Sequence, residues 1–64
     1  MKMSPVLFTE LAAAIDATII LAPGATMRER WNALFASGFP VNRLYDSGLN
    51  DNHIDTALRA IANR

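Results

Sequence analysis

The segment from Pro5 to Ala22 constrains this chain more than any other part of it. It reads PVLFTELAAAIDATIILA, with thirteen apolar side chains and only Thr9, Glu10, Asp16 and Thr18 polar. Ser4 suits the N-cap, and Pro5 suits the first helical position, where its missing N–H would have lacked a partner anyway. Pro23 closes the segment, because the residue before a proline avoids the helical region. These signals predict one helix from Pro5 to about Leu21 or Ala22. On it, Thr9, Glu10, Ala13, Asp16 and Ala17 form a narrow wet stripe. Val6, Leu7, Phe8, Leu11, Ala14, Ile15, Ile19 and Leu21 cover most of the remaining circumference. A helix apolar around most of its surface is buried on more than one side.

Chain length turns that pattern into an expectation about company. At 64 residues and 52% hydrophobic, with no cysteine, the chain is one small domain without a disulfide framework. A domain of about 60 residues buries only about 60% of the surface its unfolded chain exposes, so its stability is marginal. Association with another chain is a common remedy. The expectation is a homodimer, or an obligate complex with another protein. Val6, Leu7, Phe8, Leu11, Ile15 and Ile19 would form much of the interface, joined by Trp31 and Phe39.

Charge and residue usage exclude several classes. Six basic and six acidic side chains cancel, which removes the simplest electrostatic case for a nucleic-acid or anionic-membrane partner. The absence of cysteine rules out thiolate metal ligation and a thiol nucleophile, and the single His53 rules out a multi-histidine metal site within one chain. Lys2 and the run Ala12-Ala13-Ala14 imitate a secretion signal, but Glu10 and Asp16 interrupt the apolar stretch such a signal needs. The same two acids weigh against a membrane span. The expectation is a cytoplasmic protein with no cofactor, no metal and no membrane association.

Three shorter helices are expected to follow. Thr26-Met27-Arg28-Glu29 is a capping box, in which the Thr26 hydroxyl and the Glu29 carboxylate satisfy each other's backbone donors. Met27, Trp31, Leu34 and Phe35 then form one apolar stripe, ended by Gly38. The third helix spans Pro40 to Ser47, with Val41, Leu44 and Tyr45 on one face and Gly48 as terminator. Leu49 is placed to close back on Leu44 and forward onto Ile54. Asn50 caps the last helix, Asp51 to about Asn63, whose core stripe is Ile54, Ala57, Leu58 and Ile61. Asp55 and Arg59 pair on its outer side. No stretch alternates with period 2, so the fold class is all-α: one long apolar helix with three shorter ones, residues 1–64 forming a single domain.

Residues 47 to 59, SGLNDNHIDTALR, resemble the turn and second helix of helix-turn-helix repressors. In that family the exposed start of the second helix enters the major groove, and the resemblance implies that Asn52, His53, Thr56 and Arg59 lie near base edges. Asp51 and Asp55 on the same helix face phosphates with the wrong sign, and Asp46 adds to them. A helix–turn–helix that serves packing is therefore preferred. Residues 26 to 62 are similar in layout to ubiquitin-associated domains, with Gly38-Phe39 in the place of their Met-Gly-Phe loop. That likeness implies that Phe39 and the end of the last helix contact a partner protein.

Little in the sequence favours catalysis. His53 stands two residues from both Asp51 and Asp55, and side chains at that spacing on a helix point different ways. Ser4, Ser37 and Ser47 fall at helix ends, where capping accounts for them. The acidic run from Asp46 to Asp55 lacks the glycine and the terminal glutamate of a calcium loop. Trp31 and Phe35 are candidate anchors for a partner, although Met27 and Leu34 on their stripe favour this chain's own core. Arg28 and Arg30 flank Trp31 as solvated rim charges. The leading expectation is a non-enzymatic accessory or regulatory protein acting through protein–protein contacts. The alternative is a DNA-binding regulator using residues 50–59.

Overall fold

The computed structural model describes residues 2–64 and contains four helices among them: α1 (Pro5–Asp16), α2 (Met27–Ala36), α3 (Val41–Asp46) and α4 (Asp51–Ala62). None is long and apolar enough to cross a membrane. α2 packs chiefly on α4, with α1 across α2. The Cα radius of gyration is 10.4 Å, against about 11 Å expected for a folded chain of this length. The accessible surface is 3920 Å², against about 4,000 Å² expected for a folded monomer of this mass. One chain thus encloses a core by itself.

The first helix is shorter than its composition suggests. Ser4 caps it, its Oγ accepting from the Leu7 N–H at 3.2 Å, but the helix stops at Asp16. Thr18, Ile19 and Ile20 are consecutive β-branched residues, stiff at χ1 and poor at prolonging a helix. Pro23 lies further on and by itself would end the helix only at about Ala22, so the stop at Asp16 comes from this run. The Ile15 carbonyl accepts from both Thr18 and Ile19, and the Thr18 hydroxyl donates to the Ala14 carbonyl. Beyond that point the chain crosses to α2 without regular structure.

Burial of α1 is also one-sided. Leu7, Leu11, Ala12 and Ile15 enter the core, and the expected wet stripe, Thr9 to Ala17, is exposed. Val6 is exposed as well, so the dry arc is narrower than the count of apolar residues implies. Met3, just before the cap, is buried. It and Phe8 occupy the two positions of a hydrophobic staple around Ser4, a signal that the sequence carries.

The other three helices keep their expected boundaries within a residue or two. The Thr26–Glu29 capping box forms, with the Thr26 N–H donating to Glu29 Oε1 at 2.8 Å. That backbone hydrogen bond is the main reason the Glu29 carboxyl is held below its ordinary value, followed by the bond with the Thr26 hydroxyl. α3 ends in a Schellman motif: Leu49 N–H donates to Leu44 C=O at 3.3 Å and Gly48 N–H to Tyr45 C=O at 2.9 Å. Gly48 takes φ 84° there, and Leu44, Leu49 and Ile54 all enter the same core cluster. The α4 stripe Ile54, Ala57, Leu58 and Ile61 is buried as the spacing requires.

The α2 stripe needs correction. Arg30, Ala33 and Leu34 are the buried residues of α2, whereas Met27 and Phe35 are exposed and Trp31 is half-buried. The helix is rotated so that Arg30, rather than Met27 or Phe35, faces α4. Arg30 is therefore a core-facing charge and not a solvated rim charge.

Candidate functional site

Arg30 is buried with its guanidinium fully partnered. Arg30 Nε lies 3.1 Å from Asp55 Oδ1 and Nη2 lies 3.3 Å from Oδ2, while Nη1 donates to the Ala25 carbonyl at 2.8 Å. This bidentate pair is well shielded, with the two side chains 10% and 13% exposed. A guanidinium can be buried when a planar carboxylate and a carbonyl satisfy its fork. Asp55 Oδ2 also lies 3.2 Å from Arg59 Nε as an ion pair, so Asp55 faces inward toward Arg30 as well as pairing with Arg59 along α4. The outer-side placement of Asp55 is corrected accordingly.

The remaining ion pairs stitch the helices together. Arg43 meets Glu10 at 2.8 Å, joining α3 to α1, and Arg64 meets Asp16 at 2.6 Å, joining the C-terminus to the end of α1. Tyr45 donates its hydroxyl to Asp51 Oδ1 at 2.6 Å, across the α3–α4 junction. Among the described residues Lys2 and Arg28 are the cations without a carboxylate within 4 Å.

These pairings bear directly on the start of α4. Asn52, Thr56 and Arg59 are exposed and fall on one face of the helix. His53 is turned back: its Nδ1 accepts from the Asn50 N–H at 3.1 Å, while Asn50 Oδ1 accepts from the His53 N–H at 2.9 Å. The imidazole thus closes a capping box, a role the sequence hinted at only by its third position in the helix. The Thr56 hydroxyl donates to the Asn52 carbonyl. Three of the four candidate base-reading residues share the open face, and the fourth serves the fold.

Of the residues expected at a partner interface, Leu7, Leu11, Ile15 and Phe39 lie in this chain's own core. They offer no surface while the domain is folded. Phe39 carries the Arg43 guanidinium 5.4 Å above its ring, so its remaining face is covered by a cation in place of a partner. Phe8 and Trp31 are half-buried, and Val6 and Ile19 remain exposed. Sequence reasoning undervalued Ile20, at 94% exposure, and the pair Met27 and Phe35, at 58% and 61%.

Two exposed apolar regions result. The crossing segment Ile19–Ala22 has a shallow cleft on either side, one of about 450 Å³ against Glu29, Asn32, Ala33 and Ala36 of α2, the other reaching Ile61, Ala62 and Arg64. The second region runs along α2. Met27, Trp31 and Tyr45 line a cleft of about 330 Å³ together with Asp51, Asn52 and Asp55. Phe35 extends it, its ring 6.1 Å from that of Trp31 and tilted by 46°. No group of three or more histidine or acidic side chains among the described residues is placed to hold a metal ion. No family model matches the chain, and no curated protein or solved structure matches it either.

Proposed function

We propose that this chain is a small non-enzymatic accessory or regulatory protein that works by covering a surface of another protein chain, and that it does so as a homodimer. The observation that carries this reading is the run of large apolar side chains along α2 left open to water, Met27 and Phe35 beside the half-buried Trp31, on so small a body. Contiguous exposed apolar groups rimmed by polar ones mark interaction surfaces. Aromatic residues and methionine are the types enriched there. Thr26, Glu29, Asn50 and His53, by contrast, are engaged in caps, and Arg30, Asp55, Arg43 and Glu10 in ion pairs that hold the helices together.

A DNA-binding role is the second reading, favoured by the shared open face of Asn52, Thr56 and Arg59. Phosphate contacts need available cations, and the arginine on that face is already paired with Asp55. Sedimentation equilibrium across a micromolar range, paired with titration of a labelled duplex at low salt, separates the two. Concentration-dependent dimer formation without duplex binding is the expected result. A monomer at every concentration that binds DNA steeply less well as salt rises would reverse the order.

A further inference from the structure

Two side chains without an opposite charge within 4 Å, Arg28 and Asp51, lie on the two flanks of one apolar stripe. At 100° per residue, successive positions around α2 run from Met27 through Trp31 to Phe35, and Arg28 follows on the far side. Asp51 borders the near side, in the cleft it shares with Met27, Trp31 and Tyr45. Arg28 is exposed and has no carboxylate within 4 Å, while Asp51 is exposed and engages only the Tyr45 hydroxyl, through Oδ1. The patch is therefore basic along one edge, apolar in the middle and acidic along the other.

Such a patch is complementary to itself. An isologous dimer requires each residue to meet a partner on the same surface of the second copy. A two-fold axis parallel to α2 brings the basic edge of one copy against the acidic edge of the other. A two-fold perpendicular to α2 instead sets like edges against each other. We infer that a second copy of this chain docks on the Met27–Trp31–Phe35 face with the two α2 helices parallel, the Arg28 guanidinium of each copy pairing with Asp51 of the other. This rests on the homodimer reading above and specifies its surface and register. It also identifies what the exposed Met27 and Phe35 rings and methyls are for, since the pairing covers them on both copies at once.

The test uses the full chain and reads mass by sedimentation equilibrium, with helical circular dichroism as the check on folding. Arg28→Glu places like charges at both edges and is expected to weaken the dimer tenfold or more. Arg28→Glu combined with Asp51→Arg is expected to restore it. Because Asp51 also stands in the first turn of α4, Phe35→Glu gives a second probe that touches no cap, and it is expected to abolish dimerisation. A wild-type monomer at all concentrations overturns both this pairing and the homodimer reading. A dimer indifferent to Arg28→Glu and Phe35→Glu overturns this pairing alone and leaves self-association through another face.

Discussion

Arg30 and Arg59 both reach Asp55, and burial separates what the two contacts contribute. The Arg30 pair is shielded from water, and removal of one partner from a shielded pair leaves the other partly uncompensated. Arg59 is 63% exposed on its side-chain atoms, so solvent screens it. Arg30→Ala is expected to destabilise by about 2–3 kcal/mol, less than the loss of a fully isolated buried pair because Arg59 still holds Asp55. Arg59→Ala is expected to cost about 0.5 kcal/mol or less. Urea denaturation followed by helical circular dichroism orders the two, and equal midpoints would contradict the burial argument. Tyr45 supplies a second residue-scale expectation. Its phenol is pushed above the ordinary range, first by donating to Asp51, then by burial and the Asp51 charge. A group whose folded value is raised stabilises fully below its unfolded value and ceases to do so as pH rises through the folded one. The α3–α4 tie therefore loosens only in strong alkali. Asp51→Asn should return the phenol toward its ordinary value, and because the chain has one tyrosine, ultraviolet absorbance follows it directly.

At the level of the elements, helix ends rather than helix interiors set this architecture. Both ends of α2, the end of α3 and the start of α4 fall where their caps dictate, and these were legible from Thr26, Gly38, Gly48 and Asn50. Gly48 holds φ 84° with open space where a Cβ would stand, so only backbone conformation opposes a side chain there. Gly48→Ala is expected to lower stability by about 1–2 kcal/mol. Gly24 also has open space but no left-handed φ, and Gly24→Ala is expected to be neutral or stabilising by about 0.4–1 kcal/mol through a less flexible unfolded chain. Thermal unfolding of the two variants checks the contrast, and a similar loss in both would contradict the argument from φ. The end of α1 was misplaced because no glycine or cap marks it. Its stop comes from the β-branched run Thr18-Ile19-Ile20, a weaker signal than the proline further on.

For the molecule as a whole, the apolar surplus lies in a different place from the one α1 suggested. α1 is covered by its own neighbours along Leu7, Leu11 and Ile15, so the domain closes its core without help. What stays uncovered is Val6 at the start of α1, the crossing segment at Ile20 and the outer face of α2 at Met27 and Phe35. The self-association proposed above accordingly concerns a finished domain meeting a second one, with the sedimentation experiments as its arbiter. It does not require two chains to complete a single core.

The sequence by itself determined the all-helical class, the caps and ends of α2 to α4, the N-cap at Ser4 and the core stripe of α4. Each of these depends on contacts within a few residues, where spacing and side-chain type suffice. Only the tertiary structure decided which way α2 turns, that Arg30 lies inside against Asp55 and that Arg64 meets Asp16. Those contacts span 25 positions in one case and 48 in the other. A hydrophobic pattern ranks faces by oiliness, whereas the fold ranks them by which face finds partners for everything it buries. An arginine whose fork is fully satisfied can take a core position that oiliness alone assigns to a methionine or a phenylalanine.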